Sequence, residues 1–139
     1  MHIEMKKYTF TKEERLCSKR WIDHLFDNGS SFIVYPFRMV YAQAPSELPY
    51  PVQTIISVSK RKFKKAVDRN YYKRRMREAY RLEKHNLYDF LTEHSLHLLL
   101  TIQYVGKEDL PFAEMQAKMK QMLLKLKNEI AKSDLGEGN

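Results

Sequence analysis

Apolar positions along the chain change from helical to strand spacing and back, and these changes divide it into elements. From about Thr11 to Phe26, Leu16, Ile22, Leu25 and Phe26 recur at roughly helical spacing, and Asn28-Gly29 supplies a stop signal. Phe32 to Tyr41 is rich in β-branched and aromatic residues and predicts a strand, with Pro36 marking an edge or a bulge. The following loop, Ala44 to Pro51, holds three of the five prolines. Val52 to Val58 and Leu96 to Val105 predict two further strands, both expected at the centre of a sheet. Between these two, Asp68 is a suitable N-cap for a helix from Arg69 to about Lys84. A last helix is expected from near Pro111, where Met115, Met119, Met122, Leu123, Leu126 and Ile130 form one apolar stripe. That stripe reads as core packing, because unbranched Met side chains fill irregular gaps well.

The order helix, strands, helix, strand, helix predicts an α+β fold. We expect a two-layer α/β sandwich, a small mixed sheet of about four strands with three helices. At 139 residues the chain has the length of one domain, with a core expected over about residues 8–132 and loose ends, including a disordered tail over residues 133–139. The single Cys17 cannot form an internal disulfide, which fits a reducing compartment. The N-terminal segment lacks an apolar export core, and no run of about 18 apolar residues follows, so the expected location is the cytoplasm and no membrane association is expected.

The distribution of charge is more informative than bulk composition. The net charge is +8, and residues 60–81 alone carry eleven Lys or Arg against Asp68 and Glu78, a local +9 that leaves −1 for the rest of the chain. Self-repulsion in such a segment costs stability unless an anion relieves it, so a polyanion is the expected partner. A solvated helix face would mix its signs at four-residue spacing, and a membrane-surface helix would need a broad face of large apolar residues; neither is present here. At 100° per residue Asn70, Lys73, Arg74, Arg77 and Arg81 share one helix face, with Tyr72, Met76 and Ala79 opposite. Planar guanidinium forks suit bidentate contact with phosphate oxygens, and a face of them can follow the backbone of folded RNA, whose base edges are hidden. Lys60, Arg61, Lys64, Lys65 and Arg69 extend the candidate RNA-binding set towards the preceding strand.

Ser57-Val58-Ser59-Lys60-Arg61, then Ala66-Val67, then Arg69-Asn70-Tyr71-Tyr72-Lys73-Arg74-Arg75-Met76-Arg77-Glu78-Ala79 resembles the signature of the bacterial ribonuclease P protein subunit. Phe26-Asp27-Asn28-Gly29 resembles the family's close of the first helix. The resemblance implies a left-handed βαβ crossover around the basic helix, against the usual right-handed rule. It also implies that the helix bearing Arg69, Asn70, Lys73, Arg74 and Arg77 lies near a catalytic RNA. A cleft between the first helix and the sheet would receive the 5′ leader of precursor tRNA, with Phe26 and Phe37 as its stacking residues. The chain departs from the family pattern at three places: Tyr71 replaces an Arg, the glycine before Ala66-Val67 is missing, and Ile22 replaces a frequent aromatic. Tyr71 could stack on a base or ribose.

His2, His24, His85, His94 and His97 show no catalytic or metal-binding spacing, and no protein active site is visible. The resemblance implies that the RNA cuts the phosphodiester with Mg2+ bound mainly by the RNA, while the protein captures substrate and lowers the magnesium requirement. The implied partners are the catalytic RNA and precursor tRNA, with no obligate protein partner. The runner-up is a non-catalytic structured-RNA-binding protein of ribosomal or chaperone type. A helix-turn-helix DNA-binding protein and an autonomous nuclease rank below it, the former because the basic helix follows a strand and not a short turn.

Overall fold

In the computed structural model, which describes residues 10–134, four strands form one mixed sheet. These are β1 (Ser30–Val34), β2 (Phe37–Gln43), β3 (Val52–Val58) and β4 (Leu98–Tyr104), in spatial order β1-β2-β4-β3. The β1/β2 and β2/β4 pairs are antiparallel, whereas β3 runs parallel to β4, from Val52 opposite Leu98 to Val58 opposite Tyr104. Strand β4 is buried along nearly its whole length, which explains its almost unbroken apolar run: both its faces are covered. The single strand expected over Phe32 to Tyr41 is two. The chain reverses at Tyr35-Pro36, joined by a cis peptide, and β2 folds back on β1. Strand β3, expected at the centre, lies at an edge. That edge is partly covered by the N-terminal segment, where Arg15 bridges Thr54 and the Leu16 N–H donates to the Thr54 carbonyl at 3.1 Å.

Four α-helices surround the sheet: α1 (Lys19–Asn28), α2 (Ala66–Glu83), α3 (His85–Glu93) and α4 (Phe112–Asp134). The expected helix over Thr11 to Phe26 starts later than its periodicity suggests. Residues Lys12–Glu14 form a 3-10 turn closed by a capping box with Thr11, Arg15 is extended, and Ser18 caps α1 by accepting from the Trp21 N–H at 3.3 Å. Helix α3 was not anticipated. It buries only Leu87 and Leu91 and follows α2 through Lys84, which keeps helical backbone angles, so nothing in the sequence punctuates the junction. The expected N-cap Asp68 is also displaced. Lys65 caps α2 with an extended backbone, its carbonyl accepting from the amides of Asp68 and Arg69 at 3.1 and 3.2 Å, and Asp68 sits in the first turn, where a carboxylate complements the positive end of the helix dipole. Ser133 and Asp134 continue α4; the remainder of the expected tail, and residues 1–9, lie outside the described residues.

Alternation along the strands splits the core in two. Phe37 and Met39 of β2 and Leu98, Leu100, Ile102 and Tyr104 of β4 face α2, α3 and α4, whose Tyr72, Met76, Tyr80, Leu87, Leu91 and Met-rich stripe complete the larger cluster. On the other face Val40, Ala42 and Leu99 pack under Leu16 and Leu25, with Trp21 and Ile22 at the margin. Each large side chain so buried contributes about 1.5–3 kcal/mol. Gly29 lies where α1 meets β2: a Cβ there would run into the Leu25 carbonyl oxygen and come within 2.8 Å of Val40 Cγ1.

The N-terminal turn is held by a buried polar network. Glu14 is 0% exposed and forms an ion pair with Lys84, itself 2% exposed. One Glu14 oxygen also accepts from the Tyr88 hydroxyl at 2.7 Å, and the other accepts from the Thr11 amide at 2.9 Å. Tyr88, Tyr80 and Thr54 extend the chain of hydroxyls at 3.1 and 2.9 Å. Burial lowers the Lys84 pKa despite the opposing pull of Glu14, and burial raises those of Tyr80 and Tyr88.

Candidate nucleic-acid interface

Helix α2 turns Tyr72, Met76, Ala79 and Tyr80 into the core, so its opposite face is left to charge. Asn70 and Arg74 on that face are exposed, and Lys73 and Arg77 are half-buried by their neighbours. Arg77 is surrounded by cations. Its pKa is lowered first by burial and then by Arg15 and Arg74, so three guanidinium groups from two parts of the chain crowd one region. Arg15 was not among the expected RNA-binding residues. Its signal was lost because the helical reading of the N-terminal segment placed it on α1, whereas the extended backbone at β3 brings it beside α2.

The other cations divide by what their side chains already hold. Lys60, Arg61, Lys64 and Lys65 are exposed on the loop before α2. That loop is shaped by Ser59, whose hydroxyl accepts from the Arg61 and Lys62 amides at 3.2 and 3.4 Å. Lys62 turns inward to the Val105 carbonyl at 2.7 Å. Arg69 donates through Nη1 to the carbonyls of Phe63 and Lys64, both at 2.8 Å, so it fixes the loop as well as adding charge. Arg81 is paired with Glu78 at 2.5 Å, which raises the Arg81 pKa and lowers that of Glu78. Arg75 leaves the cationic face altogether. Its guanidinium lies 5.2 Å from the Tyr71 ring and 5.7 Å from the Phe112 ring and donates to the Leu110 carbonyl at 2.8 Å. Tyr71 is directed to the same loop, its hydroxyl donating to Asp109 at 2.8 Å.

On the α1 side of the sheet a groove of about 330 Å³ is lined by Phe26, Arg38, Val40, Ile55, Ser57, Thr101 and Gln103. Phe26, at the end of α1, is 59% exposed, so its ring is available for stacking. Phe37 is not part of this groove. It is 0% exposed and packs against Tyr104 beneath α2, because adjacent residues of a strand point to opposite faces and Arg38, not Phe37, has the groove parity. Ser57 lines the groove two residues before Ser59 opens the basic loop, so a channel of mixed apolar and polar lining and a cationic surface adjoin.

The described histidines are dispersed: His24 Nδ1 lies 3.3 Å from Asn28 Nδ2, and His97 Nδ1 lies 3.3 Å from the Tyr50 carbonyl. Among the described residues no three or more His, Cys, Asp or Glu side chains form a group that could hold a metal ion. No helix among them is long and apolar enough to cross a membrane.

The family model described as Ribonuclease P matches residues 10–127, which takes in α1, the sheet, α2 and most of α4. The chain belongs to the ribonuclease P protein family. It is 34% identical over 128 residues to the ribonuclease P protein component of Porphyromonas gingivalis, covering 92% of this chain and 93% of the relative. It is 32% identical to that of Chlorobium phaeobacteroides, covering 97% and 94%. The fold is similar to the RNase P protein of Staphylococcus aureus, with a TM-score of 0.61 at 22% identity over 83% of this chain and 95% of the other. The RNase P protein from Thermotoga maritima gives 0.62 at 21% identity over 81% and 96%. The α+β sandwich with a four-stranded mixed sheet is therefore the fold of ribonuclease P proteins, and membership of the family disfavours the ribosomal or chaperone alternative.

Proposed function

We propose that this chain is the protein subunit of a ribonuclease P ribonucleoprotein, binding a catalytic RNA and the 5′ leader of precursor tRNA so that the leader is removed and the mature 5′ end released. The observation that carries this reading is the adjacency of two surfaces of different chemistry. The α2 face with Asn70, Lys73, Arg74 and Arg77, extended by Lys60, Arg61, Lys64 and Lys65, suits the phosphates of folded RNA. The neighbouring groove, with Phe26 exposed over an apolar and hydroxylated floor, suits unpaired nucleotides, which stack on aromatic rings with little sequence preference. Arg38 in that groove supplies a cation for the leader backbone.

In this reading the RNA performs the cleavage with bound Mg2+, and no protein side chain enters the chemistry. The protein contributes position and charge. Cations set between two RNAs reduce their mutual repulsion, so fewer magnesium ions are needed to bring substrate and catalyst together. Such work fits a cytoplasmic protein with one unpaired cysteine.

The test is multiple-turnover cleavage of precursor tRNA by a bacterial ribonuclease P RNA at low magnesium, with and without this protein, beside the protein alone. Stimulation is expected only when the RNA is present, and it should be lost in a Lys73→Ala, Arg74→Ala, Arg77→Ala variant. Tight RNA binding with no stimulation would instead make the chain a plain RNA-binding module, and cleavage by the protein alone would make it a nuclease in its own right.

A further inference from the structure

A second groove lies on the flank of α2, on the side of the sheet away from Phe26. It measures about 340 Å³ and is lined by Arg74, Arg75, Glu78 and Phe112. It is a shallow depression open to solvent, with room for one nucleotide laid against it and not for a helix of RNA. Its floor is the half-buried Phe112 ring at the start of α4, steadied by the Arg75 guanidinium 5.7 Å from its centroid. Arg75 is fixed in turn by the Leu110 carbonyl and the Tyr71 ring, and its Nε is buried without a hydrogen-bond partner among the described residues. The platform is therefore built before any ligand arrives.

Arg74 belongs both to this groove and to the cationic face of α2. Arg74 is exposed, so a phosphate bound to its guanidinium as part of that face would lie at the edge of the groove. The Glu78 carboxylate on the lining, already held by Arg81, is an acceptor. It disfavours a bare inorganic anion or a second phosphate, and it offers an acceptor to a base amino or imino hydrogen.

We propose that the groove of Arg74, Arg75, Glu78 and Phe112 is a binding site for a single unpaired nucleotide of a folded RNA, the base stacking on Phe112 while Arg74 holds its phosphate. This rests on the RNA-binding reading above and adds to it a preference: the α2 face alone takes continuous duplex, whereas this groove rewards a nucleotide that bulges from it.

The experiment compares binding of the full chain to two RNA hairpins that differ only by one unpaired adenosine in the stem. Wild type should favour the bulged hairpin by roughly tenfold, within the range expected for stacking one base on an aromatic ring. Phe112→Leu, which keeps apolar volume but no aromatic face, should lose that preference while binding the paired hairpin as before, and Phe112→Trp should retain it. Equal binding of both hairpins by wild type, or an undiminished preference in Phe112→Leu, overturns this site and leaves the RNA-binding reading standing. Failure of wild type to bind either hairpin overturns both. Should Phe112→Leu fail to fold, a photo-crosslink from a bulged hairpin in which 5-iodouridine replaces the unpaired adenosine, bound to the wild-type chain, decides: attachment at Phe112 supports the site, and attachment only at Phe26 or elsewhere refutes it.

Discussion

Replacing Glu14 with Ala should be among the most damaging single changes available in this chain. The carboxylate is fully buried and is the partner of Lys84, Tyr88 and the Thr11 amide together. Its loss leaves the Lys84 ammonium buried opposite a void, and breaking a buried pair by removing one partner costs about 3–5 kcal/mol. An unfolding entropy of about 2.1 cal/mol/K per residue gives, for a chain of this length, about 0.3 kcal/mol per degree, so Tm should fall by roughly 10–17 °C. A large share of the total is at stake, since domains are stable by only about 5–15 kcal/mol. Thermal unfolding followed by circular dichroism measures it. Because the penalty comes from removing the carboxylate that faces a buried ammonium, the double variant Glu14→Leu, Lys84→Met should recover most of the loss by exchanging ions for apolar volume. A Tm drop below about 3 °C in Glu14→Ala, or a double variant no better than the single, would refute the claim that this pair locks the N-terminal turn to the α2–α3 junction.

Gly29→Ala should destabilise by about 1–3 kcal/mol, because the added methyl overpacks the contact between α1 and β2; chemical denaturation measures it, and an unchanged midpoint would contradict the close approach to Leu25 and Val40. Stability should decline as pH rises above about 10. The raised phenol pKa values of Tyr80 and Tyr88 contribute stability that is complete below the ordinary tyrosine value and is lost above it, whereas the lowered Lys84 pKa acts oppositely only up to the ordinary lysine value near 10.4. Tyr88→Phe should flatten that alkaline slope in a denaturation series. Arg74→Ala should reduce the salt dependence of RNA binding by ~0.7–0.9 in log–log slope. Arg75→Ala, one residue along, should leave that slope unchanged and lower Tm, since its guanidinium is committed to Tyr71, Phe112 and Leu110.

How far the fold could be read depended on whether each element's signal was local. The α4 stripe carries a helical period and β4 is a bounded apolar run, so both are readable from residue types alone. Strand order is not, because pairing partners are distant in sequence: β3 and β4 have similar composition, yet β4 is central and β3 is an edge strand whose open side is partly covered by Arg15 and Leu16 of the N-terminal segment. The Tyr35-Pro36 reversal was hidden for a different reason. Aromatic and β-branched residues continue on both sides of it, and only the proline hints at a break.

The candidate site follows the same division at the scale of single side chains. Helical geometry decides which residues share a face, so Asn70, Lys73, Arg74 and Arg77 group together from their spacing alone. What each cation does with its hydrogen bonds is decided by parts of the chain it meets only after folding. Arg69 is turned to the carbonyls of its own loop, Arg81 to Glu78 and Arg75 to α4, while Arg15, read as part of α1, joins Arg74 and Arg77. A count of basic residues therefore overstates the number of guanidinium forks ready for phosphate, and it misses those delivered from elsewhere. Phe37 makes the same point for the groove: a shift of one residue in strand parity separates a core aromatic from a ligand-facing position, and composition is blind to parity. The cationic surface is better regarded as a small set of unspent guanidinium groups held on a scaffold made partly of spent ones, which is why neighbouring arginines on one helix should differ so sharply when each is removed.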